Sequence, residues 1–173
     1  MNKKTKILWF TGRSGAGKTT LVKLLKKKFD YLNITSWIID GDLVREKRKK
    51  KFGFSKEEII INNLEIVDRV KKKIGKYEFI LVSVISPYED QRKINRNLLG
   101  KDYYEVFVNC SLKEAMRRDP KGLYARAIDG EIKNLIGFSE SNPYENPQSP
   151  DIMVDTNNSS CEDSMNTILN YFF

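Results

Sequence analysis

The sequence predicts an α/β fold: a mainly parallel five-stranded sheet flanked by helices. Three observations lead there. Short apolar runs alternate with longer helical patterns along the whole chain, as strand–helix–strand units require. One run, Phe79-Ile80-Leu81-Val82-Ser83-Val84-Ile85, is almost continuously apolar, which suits a strand covered on both faces. The first run, Ile7-Leu8-Trp9-Phe10, leads straight into Gly12-Arg13-Ser14-Gly15-Ala16-Gly17-Lys18-Thr19-Thr20. That segment reads G-x-x-x-x-G-K-[ST] and joins a strand to a helix.

The elements follow in order. Strands are expected at Ile7–Thr11, Ser36–Asp40, Phe79–Ile85, Tyr104–Asn109 and Ile152–Val154. The first helix, Lys18–Phe29, is announced by Leu21-Val22-Lys23-Leu24-Leu25 directly after the glycine loop. The second, Lys56–Ile74, has Ser55 as its N-cap and Glu58 three residues on, a capping box. Helices at Tyr88–Leu99, Leu112–Arg118 and Cys161–Tyr171 complete the alternation. The turn-rich stretch from Ser141 to Pro150 reads as an ordered surface excursion before the last strand. No repeat or linker interrupts residues 1–173, which read as one domain.

Composition narrows the function. No apolar run approaches the ~20 residues of a membrane span. The apolar stretch after the basic N-terminus is too short for a signal-peptide core, so a cytoplasmic location is expected. Cys110 and Cys161 lack metal-site spacing and read as free thiols. The chain has no histidine, which removes Ser-His and Cys-His catalysis. Formal net charge is +8, with lysines grouped at Lys26–Lys28, Lys47–Lys51 and Lys71–Lys73. These groups fall in different helical segments without interleaved aromatics, so they read as solvated faces rather than a nucleic-acid surface.

The glycine loop carries the chemistry. Its glycines let successive backbone N–H groups turn inward onto phosphate oxygens, and the helix N-terminus adds partial positive charge. Lys18 can reach the β- and γ-phosphates of ATP, and the Thr19 hydroxyl can ligate Mg²⁺. In a parallel sheet, ligands sit beyond the carboxyl ends of the strands. The turns after Thr11, Asp40, Ile85 and Asn109 should therefore share one cleft. Asp40-Gly41-Asp42 supplies two carboxylates there, one for the metal's water shell and one to take a proton from an attacking hydroxyl. Asp42 could equally cap the helix that follows. Arg45, on the same side of that helix, could grip an anionic substrate. The cationic block Arg117-Arg118-Asp119-Pro120-Lys121-Gly122-Leu123-Tyr124-Ala125-Arg126 suits a mobile lid over a migrating phosphoryl group.

These motifs resemble those of the adenylyl-sulfate (APS) kinases, which have the nucleoside-monophosphate-kinase-like P-loop fold with a lid. The resemblance rests on Gly12–Thr20, Asp40-Gly41-Asp42-x-x-Arg45, Phe52-Gly53-Phe54-Ser55, Ile85-Ser86-Pro87-Tyr88, Arg118 to Tyr124, and Pro143-Tyr144-Glu145 through Pro150 to Asp155-Thr156. It implies transfer of the ATP γ-phosphoryl to the 3′-hydroxyl of a nucleotide whose 5′ end is a mixed anhydride. Gly12, Ser14, Gly15, Ala16, Gly17, Lys18, Thr19 and Thr20 would hold ATP and Mg²⁺, with Arg118 on the ATP side. Asp42 would be the base, supported by Asp40. Arg45, Phe54, Asn62, Ile85 and Ser86 would hold or line the acceptor, and Lys121, Gly122 and Leu123 would close over both substrates. The family often dimerises, so a homodimer fits.

The departures lie on the acceptor side. The arginine usual three positions before Asn62 is Ile59, the arginine pair after that asparagine is Leu64-Glu65, and the arginine after Ser-Pro-Tyr is Glu89, while Arg92 persists. In the segment after the lid, where the family usually has an aromatic that stacks on the acceptor base, this chain has Leu135. A lost guanidinium removes roughly 1.5–3 kcal/mol of charge-assisted bonding, ~10- to ~100-fold in affinity. Two acceptors therefore stay open: adenylyl sulfate, and an activated nucleotide with a less charged 5′ group such as cytidine diphosphoramidate, used in capsule phosphoramidate synthesis. A nucleotide-dependent regulator or RNA-binding ATPase would leave the lid and the Asp-Gly-Asp turn without a job.

Overall fold

The computed structural model describes residues 4–46 and 55–173. Five strands, β1 (Lys6–Thr11), β2 (Ser36–Asp40), β3 (Phe79–Ser83), β4 (Tyr103–Asn109) and β5 (Ile152–Asp155), form one sheet in the order β2-β3-β1-β4-β5. Every pairing is parallel. The crossovers carry α1 (Lys18–Tyr31), α2 (Gly41–Glu46), α3 (Lys56–Lys71), α4 (Glu89–Leu99), α5 (Leu112–Arg118) and α6 (Leu123–Ile128), and α7 (Cys161–Phe172) follows β5.

Both sheet faces are covered, and the two-residue period of each strand divides its side chains between them. On one face Leu8, Phe10, Leu81, Val106 and Val108 pack with Leu21, Val22, Leu25 and Phe29 of α1 and Ile168 and Leu169 of α7. On the other, Ile7, Trp9, Ile80 and Val82 pack with Ile66, Val67 and Val70 of α3. This double burial is why β1 and β3 read as apolar runs without alternation.

Several boundaries differ from the expected ones. β3 stops at Ser83 rather than Ile85. Past Ser83 the chain turns toward the glycine loop, with Thr11 Oγ1 donating to the Ile85 carbonyl at 2.5 Å and Ser86 at φ 46°. α3 ends at Lys71, three residues before Ile74, in a turn that leads to Gly75 at φ 83°. α4 begins at Glu89, because Tyr88 is extended and acts as its N-cap. The Ser55 capping box forms as expected, with Ser55 Oγ accepting from Glu58 N and Glu58 Oε2 from Ser55 N, both at 3.2 Å. Cys110 is buried, Cys161 exposed, and neither is in a disulfide. The 141–150 excursion is anchored by the buried Asn142 and Tyr144. Phe54 and the Lys47–Lys51 run lie outside the described residues.

Candidate active site

The cleft lies where the carboxyl ends of β1, β2, β3 and β4 meet. Gly12 is required at its floor, because a Cβ there would come within 2.6 Å of the Val108 carbonyl. The loop is fastened from behind. Tyr124 of α6 donates its hydroxyl to Ser14 O at 3.0 Å, and Thr156 Oγ1 donates to Ala16 O at 3.0 Å. Arg13 Nη1 donates to Gly137 O at 2.5 Å. Burial pushes the Tyr124 phenol up to about 12, so it remains a proton donor at neutral pH.

Lys18 sits inside this loop. Its Nζ donates to Gly12 O and Arg13 O, both at 2.8 Å. Burial lowers its pKa to about 8, an effect partly offset by the nearby Asp42 and Asp40 carboxylates. The ammonium is therefore held on carbonyls at the place where phosphate oxygens would replace them. Next to it, Thr19 Oγ1 donates to Asp40 Oδ2 at 3.2 Å and lies 3.2 Å from Ser83 Oγ.

Asp40 does two jobs. While Oδ2 takes Thr19, Oδ1 accepts from Asp42 N at 2.9 Å and Leu43 N at 3.4 Å. Those are the bonds of an N-cap, so Asp40 rather than Asp42 caps α2. The Asp42 side chain is thereby released to face the cleft, where its Oδ2 receives Lys121 Nζ from the lid. Arg45 lies in the last turn of the same short helix.

The lid is partly helical. The Pro-Lys-Gly turn reads as loop, yet Gly122 at φ 62° in the left-handed region starts α6 at Leu123. Arg118, at the end of α5, donates from Nη2 to Thr156 O at 2.5 Å and from Nε to Glu114 Oε1 at 2.7 Å. This places it beside the outer end of the glycine loop through Thr156.

The residues expected on the acceptor side come from α3 and the loop after β3. Asn62 is buried and its Oδ1 has no hydrogen-bond partner among the described residues, a state that a ligand donor would relieve. Its neighbour Asn63 was not foreseen as a site residue. Trp9 Nε1 donates to Ser86 Oγ at 2.9 Å, Ser86 Oγ donates to Asn63 Oδ1, and Asn63 Nδ2 donates to Ile59 O at 2.9 Å. The adjacent pair of amides in an otherwise apolar helical stretch is the signal that could have found it. Arg92 is fully buried and bonds Ser86 O and Glu145 O at 2.8 Å and Glu89 Oε2 at 2.5 Å.

One acceptor-side expectation, Leu135, takes a different form in the structure, while the departures at Ile59 and Glu89 stand as read. Leu135 is only 1% exposed and belongs to the main core, so its side chain offers no face to a base. Ile59 packs with Tyr88, Ile136 and Ile85 in a small apolar cluster. Glu89 is drawn onto Arg92. None of these positions brings a guanidinium or an aromatic ring to the acceptor pocket.

The donor set also bears on metal binding. Among the described residues no group of three or more Asp, Glu, Cys or His could hold an ion. The Thr19 hydroxyl and Asp40 carboxylate, close together beside the loop, suit Mg²⁺, which takes one or two protein oxygens and fills its octahedron with phosphate and water.

The model for the family "Adenylylsulphate kinase" matches residues 4–155. The adenylyl-sulfate kinase of Oceanobacillus iheyensis is 42% identical over 171 residues, 98% of this chain and 85% of the relative. The probable adenylyl-sulfate kinase of Archaeoglobus fulgidus is 41% identical over 150 residues, 87% of this chain and 95% of the relative. Among solved structures, the Mycobacterium tuberculosis APS kinase in complex with AMPPNP and APS superposes with a TM-score of 0.88 at 31% identity, covering 98% of both chains. A Sinorhizobium meliloti gluconokinase, 15% identical with a TM-score of 0.67 over 99% of this chain and 93% of its own, shares the fold. With the glycine loop, the Asp-Gly-Asp turn and the lid assembled at one cleft, this chain belongs to the adenylylsulphate kinase family, ATP-dependent phosphotransferases whose acceptor is a hydroxyl group.

Proposed function

We propose that this chain transfers the γ-phosphoryl of ATP to the 3′-hydroxyl of adenylyl sulfate. The observation that carries the reading is the meeting of Asp42 and Lys121 beside Lys18 and the Thr19–Asp40 pair. These are the charges that phosphoryl transfer to a hydroxyl needs, on both sides of the migrating group.

Gly12 to Thr20 bind the triphosphate, with Lys18 leaving its loop carbonyls for the β- and γ-phosphate oxygens. Arg118 stands on the outer ATP side. Asp42 accepts the proton of the 3′-hydroxyl as its oxygen bonds to the γ-phosphorus and the bond to the β-phosphate bridge breaks. Asp40 holds the start of α2, and so the Asp42 backbone, in place. Lys121 closes the lid and stabilises the negative charge that spreads over the transferring oxygens. Thr19 and Asp40 would hold Mg²⁺, which neutralises phosphate charge when bound. Asn62, Arg45, Phe54 and the Ile85-Ser86 turn hold the acceptor, and Gly122 and Leu123 carry the lid over it. The enzyme works in the cytoplasm, and a homodimer fits the family.

A second reading rests on the acceptor wall. Ile59 lies in an apolar cluster, Glu89 is engaged by Arg92, and Leu135 is in the core. A pocket without those guanidiniums and that ring suits a smaller base and a less anionic 5′ group, as in cytidine diphosphoramidate. The test offers each acceptor separately with ATP and Mg²⁺ and follows ADP release. Turnover with adenylyl sulfate supports the first reading. Turnover only with the cytidine compound replaces it with the second, and ATP consumption that ignores both acceptors overturns both.

A further inference from the structure

Two of the lysine groups, far apart in the sequence, lie at one end of the fold. In a parallel sheet each crossover helix runs back toward the edge where the strands begin. α1, α3 and α7 therefore finish at that edge, opposite the catalytic cleft. Lys28 lies in the last turn of α1, Lys72, Lys73 and Lys76 follow the end of α3, and Lys4 and Lys6 lie at the start of β1.

Apolar side chains protrude at the same end. Tyr31, Leu32, Ile74, Tyr171 and Phe173 are between 44% and 79% exposed. Aromatic rings are interleaved with the lysines. Lys28 Nζ lies 5.4 Å from the Tyr31 ring centre, Lys73 Nζ 4.9 Å from that of Trp37, and Lys6 Nζ 5.0 Å from that of Phe172. Three carboxylates at this end are engaged: Asp30 with Lys26, Asp102 with Lys4, and Glu78 with Thr35. For the groups around Lys28 and Lys73, the expectation of aromatic-free faces gives way to lysines set beside Tyr31 and Trp37.

Single exposed apolar residues are ordinary, but apolar tips and amphipathic rings gathered among lysines are the pattern of a bilayer-interface surface. We infer that this end docks on an anionic phospholipid bilayer. Tyr31, Leu32 and Ile74 enter the headgroup layer, the lysines sit over acidic headgroups, and the cleft faces away into solution. Two features favour lipid over single-stranded nucleic acid. The Trp37 ring is already engaged by Lys73 and Tyr77, and Leu32 and Ile74 are aliphatic tips with no ring for a base to stack on. No helix among the described residues is long and apolar enough to cross a membrane, so the attachment is peripheral.

The test is co-sedimentation of the full chain with phosphatidylcholine vesicles, with and without phosphatidylglycerol, at low and high salt. Binding is expected only with phosphatidylglycerol and is lost at high salt. A lysine near an acidic bilayer strengthens binding about five-fold, so Lys72→Gln with Lys76→Gln should weaken it about 25-fold. Tyr31→Ser should weaken it as well, and both variants should keep wild-type activity in solution. Failure to bind the acidic vesicles, or variants that bind like wild type, overturns the proposal. Salt-sensitive capture of single-stranded RNA by a protein that ignores the vesicles also overturns it and assigns this end to nucleic acid.

Discussion

Lys121 of the lid and Asp42 at the start of α2 form an ion pair across the mouth of the cleft. Both side chains are about half exposed, at 47% and 52%, and an exposed pair of this kind adds little to stability. Its consequence is chemical. In the proposed mechanism Asp42 is the base for the acceptor hydroxyl, and in the ligand-free fold that carboxylate is paired with the lid lysine. Asp42→Asn should lower kcat by about 10²- to 10⁴-fold, the contribution of a general base, while the ATP KM stays near wild type. Lys121→Ala should lower kcat with little change in thermal stability. Steady-state kinetics beside thermal melts checks both, and a fully active Asp42→Asn removes Asp42 from the role of base.

Lys18 gives a pH prediction. Burial holds its pKa in the free protein down to about 8. Bound phosphate oxygens stabilise the ammonium and raise that value. Below pH 8 the lysine is charged in both states, and no proton moves on binding. Above pH 8 the free protein has lost the proton and ATP binding must take it up, so affinity falls as pH rises, toward ten-fold per unit. The same shift makes the ligand-free fold gain stability as pH rises from about 8 toward the ordinary lysine value. Calorimetric titration of the ATP analogue AMPPNP in buffers of different ionisation enthalpy measures the uptake directly. Lys18→Arg, which does not titrate in this range, should abolish it.

Much of this site is visible in the chain because its signals are local. A strand buried on both faces must be apolar, so β1 and β3 stand out. Gly12 through Thr19 is recognisable because a backbone that wraps phosphate needs small residues at set spacings. Ser55 and Glu58 announce α3 because a cap is a contact between near neighbours. What is hidden depends on tertiary structure. Whether Asp40 or Asp42 caps α2 turns on where β2 ends. Leu135 reads as a pocket residue by its place after the lid, and only its burial in the main core shows otherwise. The helix after Gly122 is masked by its turn residues, and the gathering of lysines at one end is a product of the topology alone.

Asn63 should act on the acceptor through Ser86. Its amide closes the relay from Trp9 through Ser86 and ties it to the Ile59 carbonyl, one residue from Asn62. Asn63→Leu leaves the buried Ser86 hydroxyl without its acceptor, at a cost of about 1–3 kcal/mol. It also lets the Ile85-Ser86 turn move. The expected outcome is a raised acceptor KM with the ATP KM unchanged, and Asn63→Asp, which keeps the acceptor oxygen, should recover part of the loss. A variant that is less stable but keeps its acceptor KM would reduce Asn63 to a structural role.

Ile59→Arg tests what sets acceptor choice. The new side chain replaces apolar contacts with Tyr88, Ile136 and Ile85 and places a guanidinium near the unpartnered Asn62 Oδ1. Without ligand, a charge in that cluster lacks a counter-charge, and a loss of about 3 kcal/mol or more is expected. An anionic 5′ anhydride would supply the partner. Adenylyl sulfate should then raise the melting temperature of Ile59→Arg more than that of wild type, and its KM should fall about ten-fold, the worth of one charge-assisted bond. If adenylyl sulfate stabilises both proteins equally and the KM does not move, position 59 does not read the acceptor's charge. The discrimination must then come from residues nearer the base, for which Asn62 is the first to test.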